Sequence, residues 1–128
     1  MNTLRWYFIA VDVGFVVYWT ITALHLIPAH LLFKDYHEPL MVTWNWSFMP
    51  LDLFISATGF MSLYRWKKDD LRWRSTAIVS LALTTASGLQ AIAFWSAAGD
   101  FDPTWWAPNL FLAIYPWVFI FNLVNKKA

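Results

Sequence analysis

The chain contains no cysteine, only four glycines and only 13% charged residues, and each shortage excludes a class of protein. Without cysteine there is no disulfide framework, no thiolate catalysis and no cysteine-ligated metal. Four glycines and six prolines are too few for a fibrous or disordered chain. A net charge of +1 gives no electrostatic support for a nucleic-acid partner. What is present is apolar: 59% of the 128 residues are hydrophobic, which indicates a membrane protein.

Four apolar blocks are each close to the roughly 20 residues that a helix needs to cross a membrane. They occupy residues 4–27, 40–64, 75–97 and 106–124. None shows the strict alternation of a β-barrel strand, and the first block has no small-residue cleavage site of a signal peptide. The sequence therefore predicts a single all-α transmembrane domain, an integral membrane four-helix bundle with up-down topology.

The basic residues predict the orientation of this bundle. One side of a four-span arrangement carries eight of the nine: Arg5, Arg65, Lys67, Lys68, Arg72, Arg74, Lys126 and Lys127. The other side carries Lys34, Asp35, Glu38, Asp100 and Asp102. By the positive-inside rule, we expect a multi-pass protein of the cell membrane with both termini cytoplasmic.

Prolines and small residues predict the shape and packing of the helices. Pro50 and Pro116 each remove an amide that would bond the carbonyl four residues earlier, at Trp46 and Leu112. We expect kinks in the second and fourth helices, with these carbonyls freed toward the interior. Small side chains that let helices approach closely are present in the third block: Ser80, Thr84, Ser87, Gly88 and Ala91.

Two carboxylic acids, Asp12 and Asp52, lie within the first and second blocks. Each costs about 2.5–3.5 kcal/mol at a helix centre, so it must face the bundle, be neutral or have a partner. At 1.5 Å per residue the two lie within about one turn of each other, and if their faces meet they form a polar centre. The alternative is that both are neutral and bond a hydroxyl or a backbone carbonyl.

Amide and tryptophan side chains extend the candidate site. Asn45, Gln90 and Asn109 all fall in the outer half, where they line the mouth of a cavity or bond one another between helices. Trp19 and Trp117 lie well inside the bilayer and serve either bundle packing or a pocket wall. The other tryptophans match the aromatic belts at the membrane interfaces.

The histidines do not match a metal site. His25, His30 and His37 have no recognised zinc spacing, and no serine has the surroundings of a catalytic nucleophile. We predict no metal and no cofactor.

Several segments resemble the YvaD-like family of small uncharacterised bacterial membrane proteins. They are LFKDYHEPL, WNWSFMPLDLF, SGLQAIAFW, GDFD and the stretch from WW to IYP in the fourth block. The resemblance covers nearly the whole chain. It implies a four-helix membrane architecture and carries no information on chemistry.

A more distant resemblance is to the emopamil-binding-protein-like (EXPERA) superfamily. The shared features are the pattern Trp44-x-x-Ser47-Phe48-x-x-x-Asp52-Leu53, the pair Ala107-Pro108 and Pro116. The resemblance implies that Asp52 is a bundle acid beside a cavity for amphiphilic amines or sterol-like molecules. Receptor-like members have an acid near the outer end of the first helix, where this chain has Thr22 or its neighbours. Isomerase members use a histidine inside the bundle, and this chain has none at that depth.

Several functions remain open from the sequence. The favoured one is binding of a small amphiphilic, sterol-like or cationic hydrophobic ligand within the bundle. The alternatives are an isomerase-like enzyme with acid/base chemistry, a structural subunit and a small proton-coupled transporter. The candidate ligand-binding residues are Asp52, Asp12, Asn45, Gln90, Asn109, Trp19 and Trp117. The expected partners are membrane lipid and the amphiphile, and a homodimer is left open.

Overall fold

The structure is a computed structural model that describes residues 1–28, 31 and 37–125. These residues form five helices: α1 (Leu4–Leu24), α2 (Pro39–Ser47), α3 (Met49–Lys67), α4 (Trp73–Ala97) and α5 (Pro103–Asn125). Only Phe48 separates α2 from α3, so the two together form the second helix of the bundle, which is broken. The predicted all-α four-helix architecture is confirmed.

The helix ends differ from the predicted boundaries by a few residues, and at α1 the cause is a left-handed turn of the backbone. α1 was expected to reach residue 27 but ends at Leu24, because His25 has φ 53°. The Leu26 N–H then donates to the Ile21 carbonyl at 3.1 Å, which closes the helix end. At the other boundaries, α3 continues to Lys67, and α4 and α5 begin two and three residues early.

The interruption of the second helix lies at Phe48, two residues before Pro50. Phe48 donates its N–H to the Asn45 carbonyl at 3.2 Å, and its own carbonyl accepts the Asp52 N–H at 2.9 Å. Pro50 lies in the first turn of α3, where the amide that it lacks would have no helical partner. The expected kink is therefore confirmed, but the expected free carbonyl at Trp46 is wrong. A backbone N–H at the end of α2 bonds it.

The fourth helix behaves differently from the second. α5 is a continuous helix from Pro103 to Asn125, and both Pro108 and Pro116 lie inside it. A proline in the interior removes one backbone bond without ending a helix whose neighbours pack against it.

The helices pack in the order α1, α3, α4, α5, and each neighbouring pair is antiparallel. Ser62, near the end of α3, donates to the Trp73 carbonyl at the start of α4. The Tyr7 ring of α1 packs against α5, and its centroid lies 5.0 Å from the ring centroids of Tyr115 and Phe119. This contact completes the bundle. The up-down topology is thus the observed one.

Small residues set the spacing of α4 from its neighbours, as predicted. Ser80, Thr84, Ser87, Gly88 and Ala91 are all buried. A Cβ at Gly88 would lie 2.5 Å from the Asn109 carbonyl oxygen and 2.7 Å from the Ala113 nitrogen. Because these are backbone atoms, α4 and α5 can be this close only with glycine at position 88.

Three helices of the described chain are long and apolar enough to cross a membrane: α1, α4 and α5, with 21, 25 and 23 residues. No more than 44% of the most apolar stretch of any of them is buried in the bundle. Large apolar side chains thus cover the outside, as expected for a protein in contact with lipid. The predicted single transmembrane domain stays a prediction.

The described basic residues lie at one end of the bundle, where α1 begins, α3 ends and α4 begins. Four charged residues used to predict the orientation, Lys34, Asp35, Lys126 and Lys127, are outside the described residues.

Candidate functional site

Asp52 is a buried carboxylic acid held by two other helices. It lies in the first turn of α3 and is 5% exposed. Trp19 of α1 donates its indole N–H to Oδ2 at 3.0 Å, and the Ser87 hydroxyl of α4 donates to Oδ1 at 3.1 Å. The helix dipole at the start of α3 also favours negative charge here. Since a carboxylate offers about four acceptor positions, two donors leave it able to accept more.

A cavity of about 440 Å³ lies beside Asp52, in the half of the bundle away from the basic end. Its polar lining consists of Tyr18, Asn45, Asp52, Ser87, Thr104 and Asn109. Its aromatic lining consists of Phe15, Trp19, Trp44, Phe48, Trp95 and Trp105. Lining residues come from both sides of the helix break, so the broken second helix forms one wall.

Asn45 has a side-chain donor that no described residue bonds. Its Oδ1 accepts the Tyr18 hydroxyl at 3.1 Å, which fixes the orientation of the amide. Its Nδ2 is buried and has no acceptor among the described residues. A buried donor left unbonded costs about 1–3 kcal/mol. The cavity therefore has the Asp52 acceptor and the Asn45 amide in its wall.

The structure brings together four of the seven predicted site residues and separates the other three from them. Trp19, Asn45, Asp52 and Asn109 all line the cavity, and Asn109 Nδ2 donates to the Trp105 carbonyl at 2.8 Å.

Gln90 is exposed on the outside of α4, away from this lining. Trp117 is 46% exposed and its ring lies 5.8 Å from that of Phe121, on the outer face of α5. The close contact at Gly88 fixes how α4 and α5 are rotated about their own axes. This rotation turns the side chains of Gln90 and Trp117 outward.

Asp12 lies outside the cavity, which corrects the expectation of one centre with two acids. It is 1% exposed, and its Oδ2 has no hydrogen-bond partner among the described residues. The carboxyl group packs against Gly59 of α3, while Ser56 donates to the Asp12 backbone carbonyl at 2.8 Å. Gly59 follows Asp52 by seven residues, or about 10 Å along the helix. The two acids are thus at different levels of the bundle.

Several lining residues were not in the predicted site. Ser87 was read as a packing residue, and its bond to Asp52 spans 35 residues, for which a single sequence holds no signal. Trp44, Trp95 and Trp105 were assigned to the interfacial belt. Tyr18 also lines the cavity and was not singled out in the sequence.

The histidines yield no test of the metal prediction. His25 and His37 are described and exposed, whereas His30 lies outside the described residues. The absence of a metal therefore stays a prediction.

Fold and site together define an all-helical protein with membrane-compatible helices and a buried carboxyl group in the wall of a cavity between the helices. A family model described as a family of unknown function (DUF5360) matches residues 4–128, so the chain belongs to that family. It is also 44% identical over 126 residues to the uncharacterized protein YvaD of Bacillus subtilis (strain 168). The match covers 98% of this chain and 95% of that protein.

These findings confirm the resemblance to the YvaD-like family. No solved structure matches the chain. The more distant resemblance to the EXPERA superfamily is not shown by any of these matches and stays a prediction.

Proposed function

We propose that this chain is an integral protein of the cell membrane that binds a small amphiphilic molecule in the cavity beside Asp52. The observation that carries the proposal is the 440 Å³ cavity with a buried carboxylate in its wall. That volume falls within the roughly 300–1,000 Å³ of small-molecule sites, which are mostly apolar with a few placed polar groups.

The polar groups of the cavity favour a particular kind of ligand head group. Asp52 accepts hydrogen bonds, so it favours an ammonium or hydroxyl group and disfavours a second carboxylate. The Asn45 amide also lies in the lining, near the head-group end defined by Asp52. Trp44, Trp95 and Trp105 supply aromatic faces for an apolar body or for cation–π contact.

The isomerase alternative has less geometric support. Acid/base chemistry by two carboxylates needs both at one substrate, and here Asp12 packs against Gly59 outside the cavity. A structural role and proton-coupled transport stay predictions without a specific observation in their favour.

The test uses the full chain in nonionic detergent, with dodecylamine, dodecanol and dodecanoate as probes at equal concentration. We expect the amine and the alcohol to raise the apparent melting temperature, and dodecanoate to have no such effect. Asp52→Asn should weaken the affinity for dodecylamine about tenfold or more, because it replaces a charged acceptor of the ammonium group by a neutral one. The measurement is the melting temperature as a function of probe concentration.

Asp12→Asn is the matched control, because it neutralises the other buried acid outside the cavity. It should leave the dodecylamine affinity unchanged. Equal affinity in wild type and Asp52→Asn, with both variants folded by circular dichroism, would remove Asp52 as the anchor.

A further inference from the structure

A second groove lies at the basic end of the bundle, between α1 and α3. It has a volume of about 540 Å³ and includes Arg5 and Ile9 of α1 with Phe60, Trp66 and Lys67 of α3. Both charged residues in its lining are cations, and no acidic side chain lines it. None of its residues lines the Asp52 cavity, so binding here rests on the proposed membrane location but not on the ligand proposed for Asp52.

Arg5 is held in place by aromatic rings, and no carboxylate of the described residues pairs with it. Its guanidinium carbon lies 5.0 Å from the Trp6 ring centroid and 5.6 Å from that of Trp66. Its Nε is buried and has no hydrogen-bond partner in the described part of the chain. A guanidinium offers N–H donors in a planar fork that matches phosphate oxygens, and the two rings orient this one.

The groove becomes apolar toward the middle of the bundle. Ile9 is 41% exposed and Phe60 is 38% exposed, and both lie in the wall. At 1.5 Å per residue, Ile9 is about 6 Å farther along α1 than Arg5, and Phe60 is about 10 Å from Lys67. The groove thus has cationic groups at the helix ends and apolar side chains farther in. This distribution complements a phospholipid, which has an anionic phosphate and apolar acyl chains.

We propose that this groove binds an anionic phospholipid of the surrounding bilayer. Arg5 and Lys67 contact the phosphodiester, and an acyl chain lies along Ile9 and Phe60. Charge complementarity selects this occupant, since basic pockets between membrane helices at the interface attract anionic head groups. The Trp6 and Trp66 rings position the guanidinium before the lipid binds, which lowers the entropy cost of binding.

The test is native mass spectrometry of the full chain in nonionic detergent, titrated with phosphatidylglycerol or with phosphatidylcholine of the same acyl chains. We expect wild type to bind phosphatidylglycerol more tightly. Arg5→Gln should weaken phosphatidylglycerol binding about tenfold. Arg74→Gln is the matched control, because Arg74 also has a buried unpartnered Nε and lies over a ring, Trp73, but is outside the groove.

A second matched pair uses two neighbouring exposed lysines at the end of α3. Lys67 lines the groove and Lys68 does not. Lys67→Gln should weaken phosphatidylglycerol binding about fivefold, and Lys68→Gln less than about twofold. If Arg5→Gln fails to fold, this pair decides the question.

Three results would overturn the proposal. One is equal binding of the two lipids by wild type. Another is an equal loss in each variant and its control, which would mean diffuse surface charge rather than a site. The third is displacement of phosphatidylglycerol by millimolar inorganic phosphate, which would mean a site for free phosphate. Retention of the lipid at that phosphate concentration supports the membrane source.

Discussion

Asp12 and Asp52 are both buried acids at the contact between α1 and α3, but their surroundings differ. Asp52 accepts donors from Trp19 and Ser87 and borders a cavity. Asp12 packs against Gly59, and its Oδ2 has no partner among the described residues. Only Asp52 therefore borders the cavity, whereas Asp12 makes the fit between α1 and α3 sensitive to side-chain volume.

That fit gives a prediction for Gly59→Ala. A Cβ at this position would lie 1.7 Å from Asp12 Oδ2, so the substitution should lower the free energy of unfolding by about 1–3 kcal/mol. In an Asp12→Ala background the loss should shrink, because the clashing atoms are gone. The measurement is denaturant unfolding in detergent micelles, followed by circular dichroism.

Gly14→Ala is the control for this prediction. It also changes a helical glycine, but a Cβ there meets nothing within 4 Å, so it should not destabilise the chain. The close contact at Gly59 would be refuted by equal stability of the two alanine variants.

At the scale of elements, the turn between α3 and α4 is organised by one acid. Asp70 accepts the Arg72 backbone N–H at 3.0 Å and also bonds its guanidinium, with Oδ2 2.7 Å from Nη2. The Asp70 N–H in turn closes α3 by donating to the Arg65 carbonyl at 2.9 Å. The hydrogen bonds from Arg72 lower the pKa of Asp70 from 3.8 to about 2.

A lowered pKa means that the ionised form of Asp70 stabilises the fold. This contribution is fully present above the unfolded pKa of 3.8 and is lost as the pH falls toward about 2. Asp70→Asn should therefore have a slightly lower melting temperature than wild type at pH 5 to 7, by a constant amount. The difference should narrow below pH 4 and vanish near pH 2 in a thermal unfolding series. A difference that does not change with pH would contradict the role of the charge.

The whole molecule presents lipid-compatible helices, with basic residues at one end. α1, α4 and α5 are apolar enough to cross a membrane, and the broken second helix brings the chain back between α1 and α4. Four antiparallel elements return the chain to the side where it started. We therefore propose that both termini are cytoplasmic, by the positive-inside rule.

Single-cysteine labelling tests this orientation without background, because the chain has no cysteine. Asp102→Cys, just before α5, should react with a membrane-impermeant maleimide in intact cells. Asp69→Cys, in the turn after α3, should react only after permeabilisation. The opposite pattern would place the basic end outside.

The sequence was informative where the signal is local. The apolar blocks predicted every helix to within a few residues, and Pro50 predicted the interruption of the second one. Asn45, Asp52, Asn109 and Trp19 were placed in the candidate site and all line the cavity. The outward positions of Gln90 and Trp117 were not predictable in the same way, since each follows from the rotation of a helix about its own axis.

Segment length, hydrophobicity and charge by themselves determined that this is an all-helical chain with membrane-compatible segments and one basic end. Each of these properties is set by residues that are close in sequence, and none depends on which helices contact one another. Tertiary packing alone decided which acid borders the cavity and that Ser87 bonds Asp52 across 35 residues. The physical reason is that helix rotation and register are set where helices touch, at Gly59 and Gly88, where only glycine permits the observed approach.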